Sequence, residues 1–307
     1  MADHGTAIEW TQAPGFKGET WNPVTGCDRV SPGCAHCYAL DLAAKFKGWG
    51  QKRYQNDGDP KTSGPGFGLT LHPDKLEEPL RWRKPRMVFV NSMSDLFHEA
   101  IPFDYIADVF DVMASEQCER HIFQVLTKRP ERMIEFLQWH GEYVTGDRPA
   151  SVAFDVCSFV PNVWLGVTIE NRRFVHRADL LREMPAAVRF ISAEPLLGPL
   201  VGHWTEETGD YGATHGWEHV WPDGSTEGDP LDLTEIDWLI SGGESGPRHR
   251  RFDPQWALDL RDACEASGTA FFHKQNGGRT PKAGGRELGG RTYSDFPAAL
   301  QATTGAA

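Results

Sequence analysis

Short apolar runs rich in β-branched and aromatic residues recur along this chain, each followed at once by a polar or glycine-containing turn and then by apolar residues at helical spacing. That alternation is how parallel strands joined by crossover helices look in a sequence, and it sets an α/β class. The clearest predicted strand is 86–91, with a helix at 105–115 after it. Residues 121–126 and 130–139 repeat the pattern, and Pro130 stands in a first turn, where proline is tolerated. Predicted strands at 163–168, 188–192, 236–241 and 269–273 and helices at 173–183 and 254–267 complete the series. With a short first strand near 20–22 and a helical run at 38–46, about seven β/α units result, which favours a full or partial (β/α) barrel over an open sheet. A chain of 307 residues, 39% hydrophobic, can bury one large core, so a single domain over 1–307 is expected.

Two stretches break the rhythm. Residues 48–73 are rich in Gly, Pro, Lys and Asp, and residues 203–235 form a long acidic insertion carrying Trp204, Trp217 and Trp221. Loops of such length inside a compact domain are usually functional or disordered, and the tryptophans point to a lid or a surface for a partner protein. The apolar runs are too short to cross a bilayer and the N-terminus has no basic region followed by an apolar stretch, so a cytoplasmic protein without a membrane partner is expected. The net charge of −12 opposes a surface that tracks nucleic acid throughout. Basic residues nevertheless gather at Arg81, Arg83, Lys84 and Arg86, at Lys128 and Arg129, and at Arg248, Arg250 and Arg251.

The most informative stretch runs from Asn22 to Ala39 and holds Cys27, Cys34 and Cys37. Six cysteines are too few for a disulfide scaffold in a chain of this size, and three on one Pro- and Gly-containing loop suit a metal better than bridges. Three thiolates can hold three irons of a cubane cluster and leave the fourth open to a small molecule. A structural zinc would want a fourth ligand, His36 or a distant group. Cys118, Cys157 and Cys264 are isolated and read as small buried hydrophobes.

The loop follows the first strand and precedes the first helix, an arrangement that resembles the radical S-adenosylmethionine superfamily, although six residues rather than three separate the first two cysteines. A closer resemblance spans about Glu9 to Pro297. Trp21-Asn-Pro-Val-Thr-Gly-Cys27, Ser31-Pro-Gly-Cys34, Cys37-Tyr-Ala, Asp95-Leu-Phe, Leu126-Thr-Lys-Arg-Pro130, Trp164-Leu-Gly-Val, Ser192-Ala-Glu-Pro-Leu, Gly242-Gly-Glu-Ser-Gly246 and Gly290-Arg-Thr-Tyr resemble the three-cysteine-motif family common in phages and prophages. That family is described as radical-S-adenosylmethionine-like. The resemblance implies a radical-SAM-like barrel, a [4Fe–4S] cluster on Cys27, Cys34 and Cys37, S-adenosylmethionine as co-substrate and an external electron donor.

It also implies that Ser92, Ser94 or Asp95 meets the methionyl amine, and that Thr168, Glu170 and Asn171 meet the ribose. Helix capping by Asn171 is the competing reading. Ser192 and Glu194 lie where nucleoside or substrate could be reached, and Lys128 and Arg129, with the Arg248 to Arg251 group, are placed to hold an anionic substrate at the mouth. A nucleobase or nucleotide substrate, as in phage DNA modification, is one expectation; a small molecule or peptide is another. The competing functions are a zinc-stabilised nucleic-acid-binding or accessory protein without catalysis, and a barrel hydrolase using Glu194 or Glu244.

Overall fold

Seven parallel strands laid side by side in chain order carry the structure, a computed structural model that describes residues 5–145, 160–202, 204–205, 210–211 and 230–300. They are β1 (Lys17–Trp21), β2 (Arg86–Val90), β3 (Ile122–Thr127), β4 (Val163–Thr168), β5 (Arg189–Ala193), β6 (Trp238–Gly242) and β7 (Ala270–Gln275). Each strand pairs in parallel with the next in the chain, and the sheet curls into a half-barrel. The helices are α1 (Tyr38–Gly48), α2 (Phe103–Ala114), α3 (Pro130–Thr145), α4 (His176–Arg182) and α5 (Pro254–Ser267).

The strands read as nearly continuous apolar runs because both faces are covered. On one face Val88, Phe123, Val125, Leu165, Val167, Ile191 and Leu239 bury against Ile106, Phe110, Phe136, Leu181 and Leu260 of the helices. On the other, Met87, Ile122, Trp164, Phe190, Trp238 and Phe272 fill the inside of the curl around Trp10. The interior is therefore plugged by aromatic side chains at the N-terminal ends of the strands, which leaves their C-terminal ends as the mouth.

Several boundaries differ from expectation for identifiable reasons. The first strand is longer and earlier than 20–22: Glu19 looks like a break in an apolar run, yet its carboxylate is paired with Arg86 on β2. Helix α4 begins at His176, because Asn171 caps a separate short turn, Arg172–Phe174, by accepting from the Arg173 N–H at 3.2 Å. Residues 48–73 are ordered: Thr70–Leu71 pairs antiparallel with Val24–Thr25, and Tyr54 and Phe67 bury against Ala39, Ala43 and Met93.

The expected insertion at 203–235 falls mostly outside the described residues, as do Trp217, Trp221 and Cys157. Trp204–Thr205 and Asp210–Tyr211 form a short antiparallel pair. Its last residues belong to the core instead, since Leu231 and Leu233 are buried and the Leu231 N–H donates to the Leu200 carbonyl at 2.7 Å. Cys118 and Cys264 are fully buried, as small hydrophobes should be. Among the described residues no helix is long and apolar enough to cross a membrane.

Candidate functional site

The cysteine loop leaves β1 at Asn22 and lies across the mouth, tied to the ends of four other strands. Near β2, the Asn22 side-chain carbonyl accepts from the Met93 N–H at 2.9 Å, and the Ser94 hydroxyl donates to the Gly26 carbonyl at 2.8 Å. Gly26 has φ near +90°, and a Cβ there would lie 2.4 Å from the Gly68 carbonyl oxygen, so only glycine fits this turn. From β3, Arg129 donates to Cys27 Sγ at 3.5 Å and to the Asp28 carbonyl at 3.3 Å. Glu170, after β4, accepts from the Ser31 hydroxyl. Glu244, after β6, meets His36 Nδ1 at 3.1 Å. Tyr38 opens α1 and donates to the Ser92 carbonyl at 2.6 Å.

All three thiols are partly buried. Burial pushes the Cys27 thiol up to about 12, and nearby Asp95 adds to the shift while Arg129 opposes it. Burial also raises Cys37, against the first amides of α1 at Ala39 and Leu40 and the Lys128 ammonium. The three interact, since the charge of Cys34 is felt by both Cys27 and Cys37. Among the described residues no three His, Cys, Asp or Glu side chains stand close enough to form a ready-made metal cage. Three thiols on one loop supply the soft donors that iron or zinc prefers, and a cation bound there would have to draw Cys27 and Cys37 into the thiolate form that burial opposes.

The structure brings the sequence-predicted residues to one mouth but spends several of them internally. Asp95 accepts from the Thr127 hydroxyl at 2.7 Å, the Lys128 N–H at 3.0 Å and Arg129 at 3.1 Å. Arg129 is only 9% exposed. Lys128 reaches Glu170 at 3.7 Å, and Arg177 of α4 meets the same carboxylate at 3.3 Å. Glu194 pairs with Lys274 at 3.2 Å. Asn171 caps its turn, the alternative the sequence had offered. Ser92 bonds with Asn22 at 3.2 Å. Thr168 and Ser192 are buried register partners on β4 and β5, and among the described residues their hydroxyls bind no other group.

Sequence reasoning names His36 only as a zinc ligand and misses Arg177, Asn91 and Gln124. His36 and Arg177 clamp the loop through Glu244 and Glu170. Asn91, left-handed at φ 58 directly after β2, holds the Val24 N–H through its carbonyl while its Nδ2 is buried without a partner among the described residues. Gln124, wholly buried in β3, has neither amide atom satisfied among the described residues. The last had a signal: an amide inside the apolar run Ile122-Phe-Gln-Val-Leu126 costs free energy unless something binds it.

A family model described as "Protein of unknown function (DUF5131)" matches residues 5–297. Neither a curated protein nor a solved structure matches the chain.

Proposed function

We propose that this chain, which belongs to the DUF5131 family over residues 5–297, is an iron–sulfur enzyme of the radical S-adenosylmethionine type. Cys27, Cys34 and Cys37 would hold a [4Fe–4S] cluster, with electrons from an external donor. The observation that carries this reading is the placement of three thiols on the loop between β1 and α1, lying over the mouth of a parallel half-barrel. When bound, such a cluster and S-adenosylmethionine supply one-electron cleavage of the sulfonium, and hence carbon-radical chemistry.

The chain's own residues orient and enclose. Asp95 and Arg129 fix the Cys27 side of the loop, and Glu170 with Ser31 fixes the middle. Thr168 and Ser192, buried beside each other at the ends of β4 and β5, carry unengaged hydroxyls that suit a nucleoside or a substrate. The aromatic plug around Trp10 keeps water from entering from below.

A second reading rests on His36. Its Nδ1 lies against the Glu244 carboxylate, which leaves Nε2 as a possible metal ligand oriented by a carboxylate partner, an arrangement common at zinc. Iron, sulfide and zinc analysis after anaerobic purification separates the two. The radical-enzyme reading expects about four irons per chain, loss of most of that iron in each of Cys27→Ala, Cys34→Ala and Cys37→Ala, and retention in Cys118→Ala and Cys264→Ala. The reduced protein should convert S-adenosylmethionine to methionine and 5′-deoxyadenosine. Stoichiometric zinc that His36→Ala abolishes would replace this reading with the structural one.

A further inference from the structure

The acidic balance of the chain hides a basic rim. Residues 245–252, after β6, and 274–286, from the end of β7 onward, contain seven Arg or Lys residues and no Asp or Glu, with Glu244, Asp253 and Glu287 flanking them, in a chain with 43 acidic against 31 basic residues. The structure joins them. Ser245 bridges Gly278, the Gly246 N–H donates to the Gly278 carbonyl at 2.8 Å, and the Gly278 N–H donates to the Glu244 carbonyl at 3.0 Å. They form one edge of the mouth.

Some of this charge is used within the fold. Arg250 is held by Glu244 and Lys274 by Glu194, while Arg248 makes only a 3.9 Å approach to Asp41 between two exposed side chains. Arg286 donates to the carbonyls of His273 and Tyr293 and to the Ser294 hydroxyl and lies over the Phe272 ring at 5.0 Å, with no carboxylate partner among the described residues. Arg251, Arg279 and Lys282 are exposed and make no ion pair or side-chain hydrogen bond among the described residues. By contrast, Lys128 and Arg129, which sequence reasoning placed on an anion together with the Arg248 to Arg251 group, are committed to Glu170 and Asp95.

We infer that this rim docks the phosphodiester backbone of a nucleic acid at the mouth. Three observations favour that occupant over an acidic protein or a membrane. The rim is mostly arginine, whose planar fork matches phosphate oxygens. Its loops hold five glycines, with Gly284 and Gly285 exposed, so a bulky backbone can approach closely. Exposed aromatic or large aliphatic anchors, which a protein interface or a bilayer contact would need, are lacking among its residues. A one-sign rim also focuses field locally despite opposite net charge.

The inference shares with the proposed function only the mouth as working face, so the two can fail separately. The test is binding of a labelled 20-nucleotide DNA, single-stranded and duplex, across a salt series. Arg251→Glu/Arg279→Glu/Lys282→Glu is compared with Arg83→Glu/Lys84→Glu/Arg120→Glu, which makes the same net charge change at the other end of the sheet. Three phosphate contacts predict a log–log salt slope of about −2 to −3, and the rim variant should bind about tenfold more weakly or worse. The distal variant should lose far less. Cys27→Ala should bind DNA normally even if its iron is gone. Absence of binding at low salt, equal loss in the two triple variants, or equal binding of poly-glutamate overturns the inference.

Discussion

Replacing Glu170 by alanine should be among the most damaging single changes near the mouth, and the structure sets the size. The carboxylate is fully buried and accepts from the Ser31 hydroxyl and from Arg177 at 3.3 Å; Lys128, 3.7 Å away and 22% exposed, can turn to water at little cost. Two charge-assisted hydrogen bonds of about 1.5–3 kcal/mol each give a loss of about 3–6 kcal/mol. The independent argument agrees: Arg177 is 5% exposed, and orphaning one partner of a buried ion pair costs about 3–5 kcal/mol. Arg177 keeps its 2.7 Å bond to the Thr168 carbonyl, which places the expected value toward the lower end. Urea unfolding of the wild type, Glu170→Ala, Arg177→Leu and Glu170→Leu/Arg177→Leu measures it as a cycle. The double variant should recover much of the loss, since no charge is left unpaired. A Glu170→Ala loss below about 1 kcal/mol, or a double variant as unstable as the sum of the singles, would show that the carboxylate is not an anchor of the cysteine loop.

Burial pushes the imidazoles of His121 and His273 down to about 4. Both favour the neutral ring when folded, so their contribution is complete above the ordinary value of about 6.5 and is lost as pH falls through about 4, with on the order of 3 kcal/mol at stake for each. Equal urea midpoints at pH 7 and pH 4.5 would contradict this. Gly166→Ala puts a Cβ 2.4 Å from the Phe190 ring, itself wedged 6.4 Å from Trp10 and 6.0 Å from Trp238. It should cost at least about 1–3 kcal/mol by overpacking, and a thermal midpoint matching the wild type would mean the interior yields more than its packing implies.

The strands were legible because parallel strands covered on both faces announce themselves by composition. The predicted 163–168 coincides with β4, and 254–267 with α5. The location of the cysteine loop was legible for the same reason, since a strand end fixes where the next residues must lie. What the sequence hid is which polar strand-end residues are free. Lys128, Arg129 and Glu170 look like ligands when read along the chain, yet their partners stand tens of residues away, with 34 positions between Asp95 and Arg129 and 139 between Ser31 and Glu170. Hydrophobic periodicity carries no information about such pairings. Asn171 shows the converse, because a cap is a local device and its reading from sequence holds.

The sheet ends in two edges that are not hydrogen-bonded to each other among the described residues. Each edge is shielded by a short run of chain: Thr6 donates to the Gly18 carbonyl on β1, and residues 293–295 bond with His273 and Phe271 on β7. Between them the turn Glu9–Thr11 touches β1, β2 and β7 and drives Trp10 into the interior, 4.8 Å from Phe89. In a closed barrel the radius is dictated by strand number and shear. Here the seam is held by a wedge rather than a ladder, so curvature follows the volume of the wedging rings. A substitution at Trp10 changes how far apart the rims stand at the opposite end of the sheet.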